Sequence, residues 1–546
     1  MIKGDYVKKD NFLKGAFVAT VCLVLTKVLG ILYVIPFYNI IGSKGSVLYG
    51  CAYNIYAVFI NLSTIGLPLA ISKLVSEYNT LGYEDLRKRS YQMASRIMII
   101  TAVISSIILF VFAPNLAYFI IPDMSYGNTV NDIALVIRVC STAIIFVTLI
   151  SMIRGYLQGM KYIRASSYSQ VIEQFVRVFV IIFGSYFYLK YVGKNMSIAV
   201  SIAVFGATLG AIVALMYLSY KKTKIPKVKN YKINSEEKKV TNKELLKKII
   251  TYTIPFIVMG LIGSSFELVD MFTVVRTLTK YNFSTETASV IMNIVTTLGS
   301  KLNVIITAIA SGLVVSLLPN LTSDFVKKDM KEVRKKINRT LQIVIYITLP
   351  MAVGLSLLAV PVWNIFYGAS EYGPKVFQVS IFIAVFSSIS TNIIVVLQSL
   401  NLRKSLYISL FAGFVFNAIF NIPFMVWFEK VGLPIYYGNL VATMLGYALM
   451  IFLALFDLKK HFSVEYKDTL KELLITIIAI GVMSIVIIIM KQFIPIDHLG
   501  RITSIFGVGL YALVGALVYF VITYKTGSFN KIIGFKLRRK HENRNS

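Results

Sequence analysis

Charge is scarce in this sequence and uneven in sign: 15% of its 546 residues are Asp, Glu, Lys or Arg, and only 25 acids stand against 56 bases. Soluble domains carry about 25% charged residues, so a water-covered globular fold is excluded for a chain that is 57% hydrophobic. The net charge of +31 does not indicate nucleic acid, because such binders set Lys and Arg on an exposed face among polar neighbours, and here they sit in short runs between long apolar stretches. Histidine is nearly missing: His461, His498 and His541 lie in loops or the tail, which removes a histidine metal ligand or proton relay from the apolar stretches. The three cysteines, Cys22, Cys51 and Cys140, fall inside apolar stretches without metal-ligand spacing, excluding a disulfide or zinc framework. No GxxxxGK[ST] phosphate loop occurs, and no Ser/His/Asp or Cys/His set falls at membrane depth. The chain is therefore expected to be no enzyme and to hydrolyse no ATP, so any transport runs on gradients or on the membrane potential.

What is abundant is the apolar run of membrane-crossing length. A bilayer core needs roughly 20 apolar residues per helix, and such runs begin near Phe12, Leu48, Tyr91, Asn131, Tyr168, Ser197, Ile249, Ala288, Thr340, Lys375, Ser405, Leu433, Leu470 and Ile502. An all-α polytopic membrane protein of about fourteen spans is expected. The first run, Phe12 to Ile41, exceeds the apolar region of a cleaved signal peptide and reads as a retained span. Connections alternate in charge: Arg87, Lys88 and Arg89; Arg154, Lys161 and Arg164; Lys327 to Lys336; Arg403 and Lys404; and the tail Arg538, Arg539 and Lys540 lie on one side, whereas Pro122 to Asn131 has no Lys or Arg. By the positive-inside rule both termini are cytoplasmic.

Shifting the sequence by 247 places Leu69–Arg89 on Ser316–Lys336 without a gap, so that Glu77 meets Asp324 and Arg87-Lys88-Arg89 meets Arg334-Lys335-Lys336. Spans one to six thus repeat as seven to twelve, and because six is even the two lobes share an orientation and are related by a pseudo-twofold axis along the membrane normal. The expected organisation is a first lobe at 1–220, a basic cytoplasmic linker at 221–248, a second lobe at 249–457, two added spans at 458–524 and a basic cytoplasmic tail at 525–546. The substrate site of such a transporter lies between lobes near the midplane.

An ionisable side chain deep in a span costs at least about 2.5 kcal/mol, so the few that occur are candidates for function. Lys27 in span one and Lys301 in span eight have no acid one turn away and are candidates to line a hydrated anion-binding cavity. Lys73, towards the end of span two, either joins them or reaches back to the interface; Arg138, in span four, is a further candidate for the same anion-binding cavity. Glu173 and Arg177, four apart in span five, form a candidate structural ion pair. Glu267 and Asp270 share a face of span seven, where one holds a proton or a cation sits between them and other ligands. Asn417 with Asn421, and Asn439 with Thr443, are i, i+4 pairs in spans eleven and twelve. Together with an acid of span seven they suit either a small hard-cation site or interhelical hydrogen bonding.

The strings GLPLAISKLVSEY (Gly66–Tyr78) and RGYLQGMKYIRASSYSQVIEQFVRV (Arg154–Val178) resemble the polysaccharide-exporter branch of the multidrug/oligosaccharidyl-lipid/polysaccharide flippase superfamily, in particular its Gram-positive group of MurJ-like lipid II flippases and stage V sporulation B proteins. The resemblance implies an alternating-access flippase of the bacterial cytoplasmic membrane. Its partners would be membrane lipids and a lipid-linked saccharide, the undecaprenyl-pyrophosphate-linked peptidoglycan precursor, and not nucleic acid. It also implies a cationic cavity lined by spans one, two, seven and eight, to which Lys27 and Lys301 map, and a groove for the polyprenyl tail at the two added spans. In some relatives a sodium site uses acids and amides of spans seven, eleven and twelve, here Asp270, Asn417, Asn421, Asn439 and Thr443; no other cofactor is implied. The sequence departs from its relatives at Tyr33 and Val34, where a second basic residue is common, and at Asn421, which stands in place of a carboxylate. Alternatives of other substrate or class are a flippase for a capsule or teichoic-type unit, a cation-coupled multidrug exporter, and a membrane scaffold for wall-synthesis enzymes.

Overall fold

The computed structural model describes residues 12–64, 66–120, 129–225, 235–308, 321, 325, 327–496 and 500–533. The loop near Pro122, nine residues of Ser316–Lys336 and the basic tail from 534 on lie outside the described residues. The described elements are helices throughout: α1 Phe12–Leu32, α2 Val34–Thr64, α3 Gly66–Leu81, α4 Glu84–Val111, α5 Ala113–Ile120, α6 Val130–Gly159, α7 Ile163–Val192 and α8 Met196–Thr223. They continue as α9 Ser235–Lys239, α10 Asn242–Lys280, α11 Thr285–Ala308, α12 Met330–Leu357, α13 Ala359–Tyr367, α14 Gly373–Ser399 and α15 Arg403–Lys430. The last are α16 Ile435–Phe462, α17 Lys467–Phe493, α18 Arg501–Lys525 and α19 Ser528–Ile533. Among the described residues, thirteen stretches are long and apolar enough to cross a membrane. The difference from fourteen lies at the N-terminus, where Val21–Asn61 runs as one 41-residue stretch. It holds two expected spans, because Gly42 adopts φ 62° and ψ −167° inside α2 and breaks the helix there. The chain is a multi-pass membrane protein of the expected all-α class.

Polar residues at the helix ends set the boundaries. Thr129 and Asp132 form a capping box at the start of α6, the Thr129 N–H donating to Asp132 at 2.8 Å and the Asp132 N–H to Thr129 at 3.2 Å. Thr241 and Glu244 do the same for α10. Inside the spans two helices depart from α geometry: π-helical turns occur at Val180–Gly184 and Tyr188–Val192 of α7 and at Ile294–Leu298 of α11.

By packing, the chain divides into one unit of residues 1–301 with 417–439 and another of 302–416 with 440–546. In the first unit, Asn293 of α11 donates to Ser46 of α2 at 2.9 Å, and a Cβ on Gly50 would lie 2.5 Å from the Thr297 hydroxyl oxygen. Both pairs are separated by the 247-residue shift of the repeat. Equivalent residues touch one another only beside a twofold axis, which places that axis between α2 and α11. The same unit carries the linker, whose α9 supplies the fully buried Glu237. Its carboxylate accepts from the N–H groups of Asp85 and Leu86 at 3.0 and 3.4 Å, at the open end of α4, and Arg89 donates to Val240 and Asn242 at 3.2 and 2.6 Å.

In the second unit, α17 and α18 turn large apolar side chains outwards, among them Leu474, Ile478, Ile502 and Phe506, as lipid contact requires. Below them α19 is pinned by Lys531 to buried Glu472 at 3.0 Å. The hydrogen bond to Glu472 holds the Lys531 ammonium above the ordinary lysine range.

Candidate functional site

The two deep lysines both lie in the first unit. Lys27 is exposed on α1, and Lys301, half-buried on α11, is close enough for the two charges to act on each other. The Lys301 ammonium lies 4.7 Å from the centre of the Tyr53 ring, with Tyr33, Tyr53 and Glu267 as its electrostatic neighbours. Tyr33 sits at the break between α1 and α2, so the departure from a basic residue there places a phenol against Lys301. From it an aromatic series follows α2: Tyr33 to Phe37 at 6.1 Å, Phe37 to Tyr49 at 5.3 Å, Tyr49 stacked on Tyr53 at 5.5 Å and Tyr53 to Tyr56 at 5.9 Å.

Glu173 and Arg177 are paired as expected, but not alone. Arg154, which its loop context assigns to the topological charges, is half-buried near the end of α6 and forms an ion pair with the other Glu173 oxygen at 2.9 Å, while its Nε donates to Ser169 at 2.8 Å. One carboxylate therefore serves two guanidiniums. Glycine lets α8 come close to this group: a Cβ on Gly210 would lie 2.6 Å from the Glu173 carbonyl oxygen.

Lys73 and Arg138 are placed elsewhere. Lys73 is exposed on α3, its ammonium 4.1 Å from the centre of the Tyr252 ring, one turn from Glu77, which pairs with Lys248 at 2.6 Å. Arg138 is exposed on α6 with its guanidinium 5.6 Å from the Phe110 ring, beside the outward-facing Leu135.

The polar residues of spans seven, eleven and twelve do converge. Asn421 and Asn439 donate to the same Asp270 oxygen at 2.9 and 2.7 Å, Thr273 donates to Asn421 at 2.7 Å, and Asn421 donates to Asn417 at 3.2 Å. Amide N–H groups, rather than the expected oxygens, face the carboxylate. A sodium ion fits only if both amides turn their oxygens inward, since a cation site needs acceptors alone. Thr443 is buried one turn on from Asn439 along α16. Glu267 lies within electrostatic reach of Asp270 and Lys301, and no cluster of three His, Cys, Asp or Glu side chains occurs among the described residues.

The second unit holds an apolar groove of about 480 Å³ lined by Tyr346, Pro350, Met483, Ile487, Tyr511 and Tyr519, among others. It lies among α12, α17 and α18, the last two being the added spans.

Residues 12–312 match the polysaccharide biosynthesis protein family. The chain is 27% identical over 539 residues to the lipid II flippase MurJ of Bacillus subtilis (strain 168), covering 97% of this chain and 98% of that relative. It is 23% identical over 367 residues to the stage V sporulation protein B of the same organism, covering 66% and 68%. Its fold matches the inward closed conformation of a lipid II flippase MurJ with a TM-score of 0.62 at 16% identity, over 95% of this chain and all (100%) of that one. This chain belongs to the polysaccharide biosynthesis protein family.

Proposed function

We propose that this protein moves undecaprenyl-pyrophosphate-linked peptidoglycan precursor, lipid II, from the cytoplasmic to the outer leaflet of a bacterial cytoplasmic membrane by alternating access, with both termini in the cytoplasm. The observation that carries the reading is the placing of Lys27 and Lys301 on membrane-spanning helices of one unit, within electrostatic reach of each other. Two cations held together at membrane depth repel each other, and a doubly charged pyrophosphate relieves that repulsion. The likeness to a lipid II flippase over almost the whole chain supports this substrate, and the apolar groove beside α17 and α18 suits the polyprenyl tail.

The drive follows from the same charges. Each charge moved across 100 mV is worth about 2.3 kcal/mol. Loaded with pyrophosphate the two lysines are nearly neutralised, so the loaded step feels little field, while the empty dication is drawn back to the negative cytoplasm. The test is complementation of a flippase-depleted strain, with labelled lipid II followed in each leaflet. Lys27→Gln and Lys301→Gln are expected to fold, insert and leave lipid II on the cytoplasmic leaflet; a fully active double variant refutes the assignment. Trapping of a different lipid-linked saccharide on depletion of this protein replaces the substrate.

A further inference from the structure

The sequence pairs Glu173 with Arg177 and so assigns the arginine a structural role, but the structure gives that carboxylate a second guanidinium, and the group keeps one uncompensated positive charge. The two arginines are not equivalent. Arg154 is the more enclosed, with 13% of its side chain exposed, and is tied to Ser169 as well as to Glu173. Arg177 is 25% exposed, and its buried Nε has no hydrogen-bond partner among the described residues. Its charge acts on Tyr49, Tyr53 and Tyr56. Tyr53 is the residue whose ring lies under the Lys301 ammonium at 4.7 Å, so the ring in contact with one cation is within electrostatic reach of the other. Each cation also sits three residues from a π-helical turn, Val180–Gly184 after Arg177 and Ile294–Leu298 before Lys301; such turns recur at functional sites because they re-aim side chains.

We propose that Arg177 is a third anion-binding residue, which grips the pyrophosphate of the lipid substrate across Tyr53 from Lys301, while Glu173 and Arg154 act as positioning residues that hold its guanidinium towards the tyrosines. A guanidinium suits this task because its planar fork gives a phosphate two parallel hydrogen bonds, where a lysine gives a single point of charge. The inference rests on the proposed pyrophosphate-bearing substrate.

The experiment is titration of the purified full-length protein in detergent with undecaprenyl pyrophosphate and, as neutral control, undecaprenol, read by native mass spectrometry. Arg177→Gln retains the Arg154–Glu173 pair and is expected to fold. It should bind undecaprenyl pyrophosphate about tenfold more weakly than wild type, the worth of a hydrogen bond to a charged group, bind undecaprenol unchanged, and be partly rescued by Arg177→Lys. Wild-type affinity in Arg177→Gln, alongside lost affinity in Lys301→Gln, overturns the inference and leaves the substrate reading in place. A wild-type protein that does not distinguish the two lipids overturns the substrate reading itself, and the inference with it. A second measurement needs no variant: modification of Arg177 by phenylglyoxal in wild-type protein should slow several-fold with undecaprenyl pyrophosphate and not with undecaprenol, and an unchanged rate overturns the inference.

Discussion

Replacing Glu173 by Gln tests the buried charge group without reference to transport. The carboxylate is 10% exposed and bonds Arg154, 13% exposed, and Arg177, 25% exposed. Removing it leaves two like charges side by side with no acid to answer them. Breaking one enclosed ion pair costs about 3–5 kcal/mol. The second broken pair adds less, because Arg177 reaches water or headgroups more easily. Arg177→Gln instead leaves a one-to-one pair and is expected to cost on the order of 1 kcal/mol, as for a pair with one screened member. Arg154→Gln falls between them, since it also removes the bond to Ser169. The assay is thermal unfolding of the purified proteins in one detergent, and the expected order of stability is wild type, Arg177→Gln, Arg154→Gln, Glu173→Gln. Adding Arg154→Met to Glu173→Gln should recover part of the loss, because it removes one uncompensated charge, and the non-additivity measures the coupling. A Glu173→Gln protein as stable as wild type, or a double variant with no recovery, refutes the account of one carboxylate neutralising two arginines.

If a monovalent cation turns the Asn421 and Asn439 amides towards it beside Asp270, sodium should raise the melting temperature relative to potassium at equal ionic strength; identical curves leave the hydrogen-bonded network as the whole explanation. Glu237→Ala uncovers the N–H groups of Asp85 and Leu86 and should cost about 1 kcal/mol, seen as faster hydrogen exchange in the first turn of α4; unchanged exchange there dismisses the linker as a cap. A Cβ on Gly438 would lie 2.4 Å from the Phe424 carbonyl oxygen and 2.5 Å from the Met425 nitrogen, so Gly438→Ala should force α15 and α16 apart at about 1–3 kcal/mol; wild-type melting contradicts that packing. Collapsing the membrane potential with valinomycin and potassium, with the pH gradient kept, should stop precursor export within minutes, and continued export removes the potential from the mechanism.

The spans were legible because length and hydropathy alone decide them, and even the repeat was visible where charges and apolar residues recur at 247. What escaped was local. The break at Gly42 needs a positive φ, and a glycine in an apolar run announces close packing as readily as a kink. Arg154 stood among loop bases that count towards topology, and nothing in its own neighbourhood shows that α6 carries it inward to a carboxylate on α7. Glu237 was one acid in a lysine-rich linker, and its role as a cap for α4 depends on a contact 151 residues distant. Spacing put the amides of spans eleven and twelve on helix faces, but it does not say whether an amide presents its oxygen or its nitrogen; that is settled by whether its neighbour is a carboxylate or a cation.

The deep charges separate by how their burial is offset. Asp270 is answered by two amides, and Glu173 by two arginines. Arg138 and Lys73 lean on single aromatic rings at exposed positions, where such a contact is worth about 0.5–1 kcal/mol and a long side chain reaches the interface. Lys301 has the Tyr53 ring, the Tyr33 phenol and Glu267 beside it, whereas Lys27 is exposed and feels the charge of Lys301. The ring beneath Lys301 and the neighbouring Glu267 offset part of its cost, while each lysine raises the cost of the other. A charge that the fold leaves least satisfied is the one a ligand stabilises most, because the ligand's own charge then replaces water rather than competing with a protein partner. The fold retains this deficit in the same unit in which Glu173 is over-supplied with cations. On the proposed reading, an anion entering beside Tyr53 would meet positive charge from both α11 and α7, and its departure would restore a repulsion that favours the next exchange.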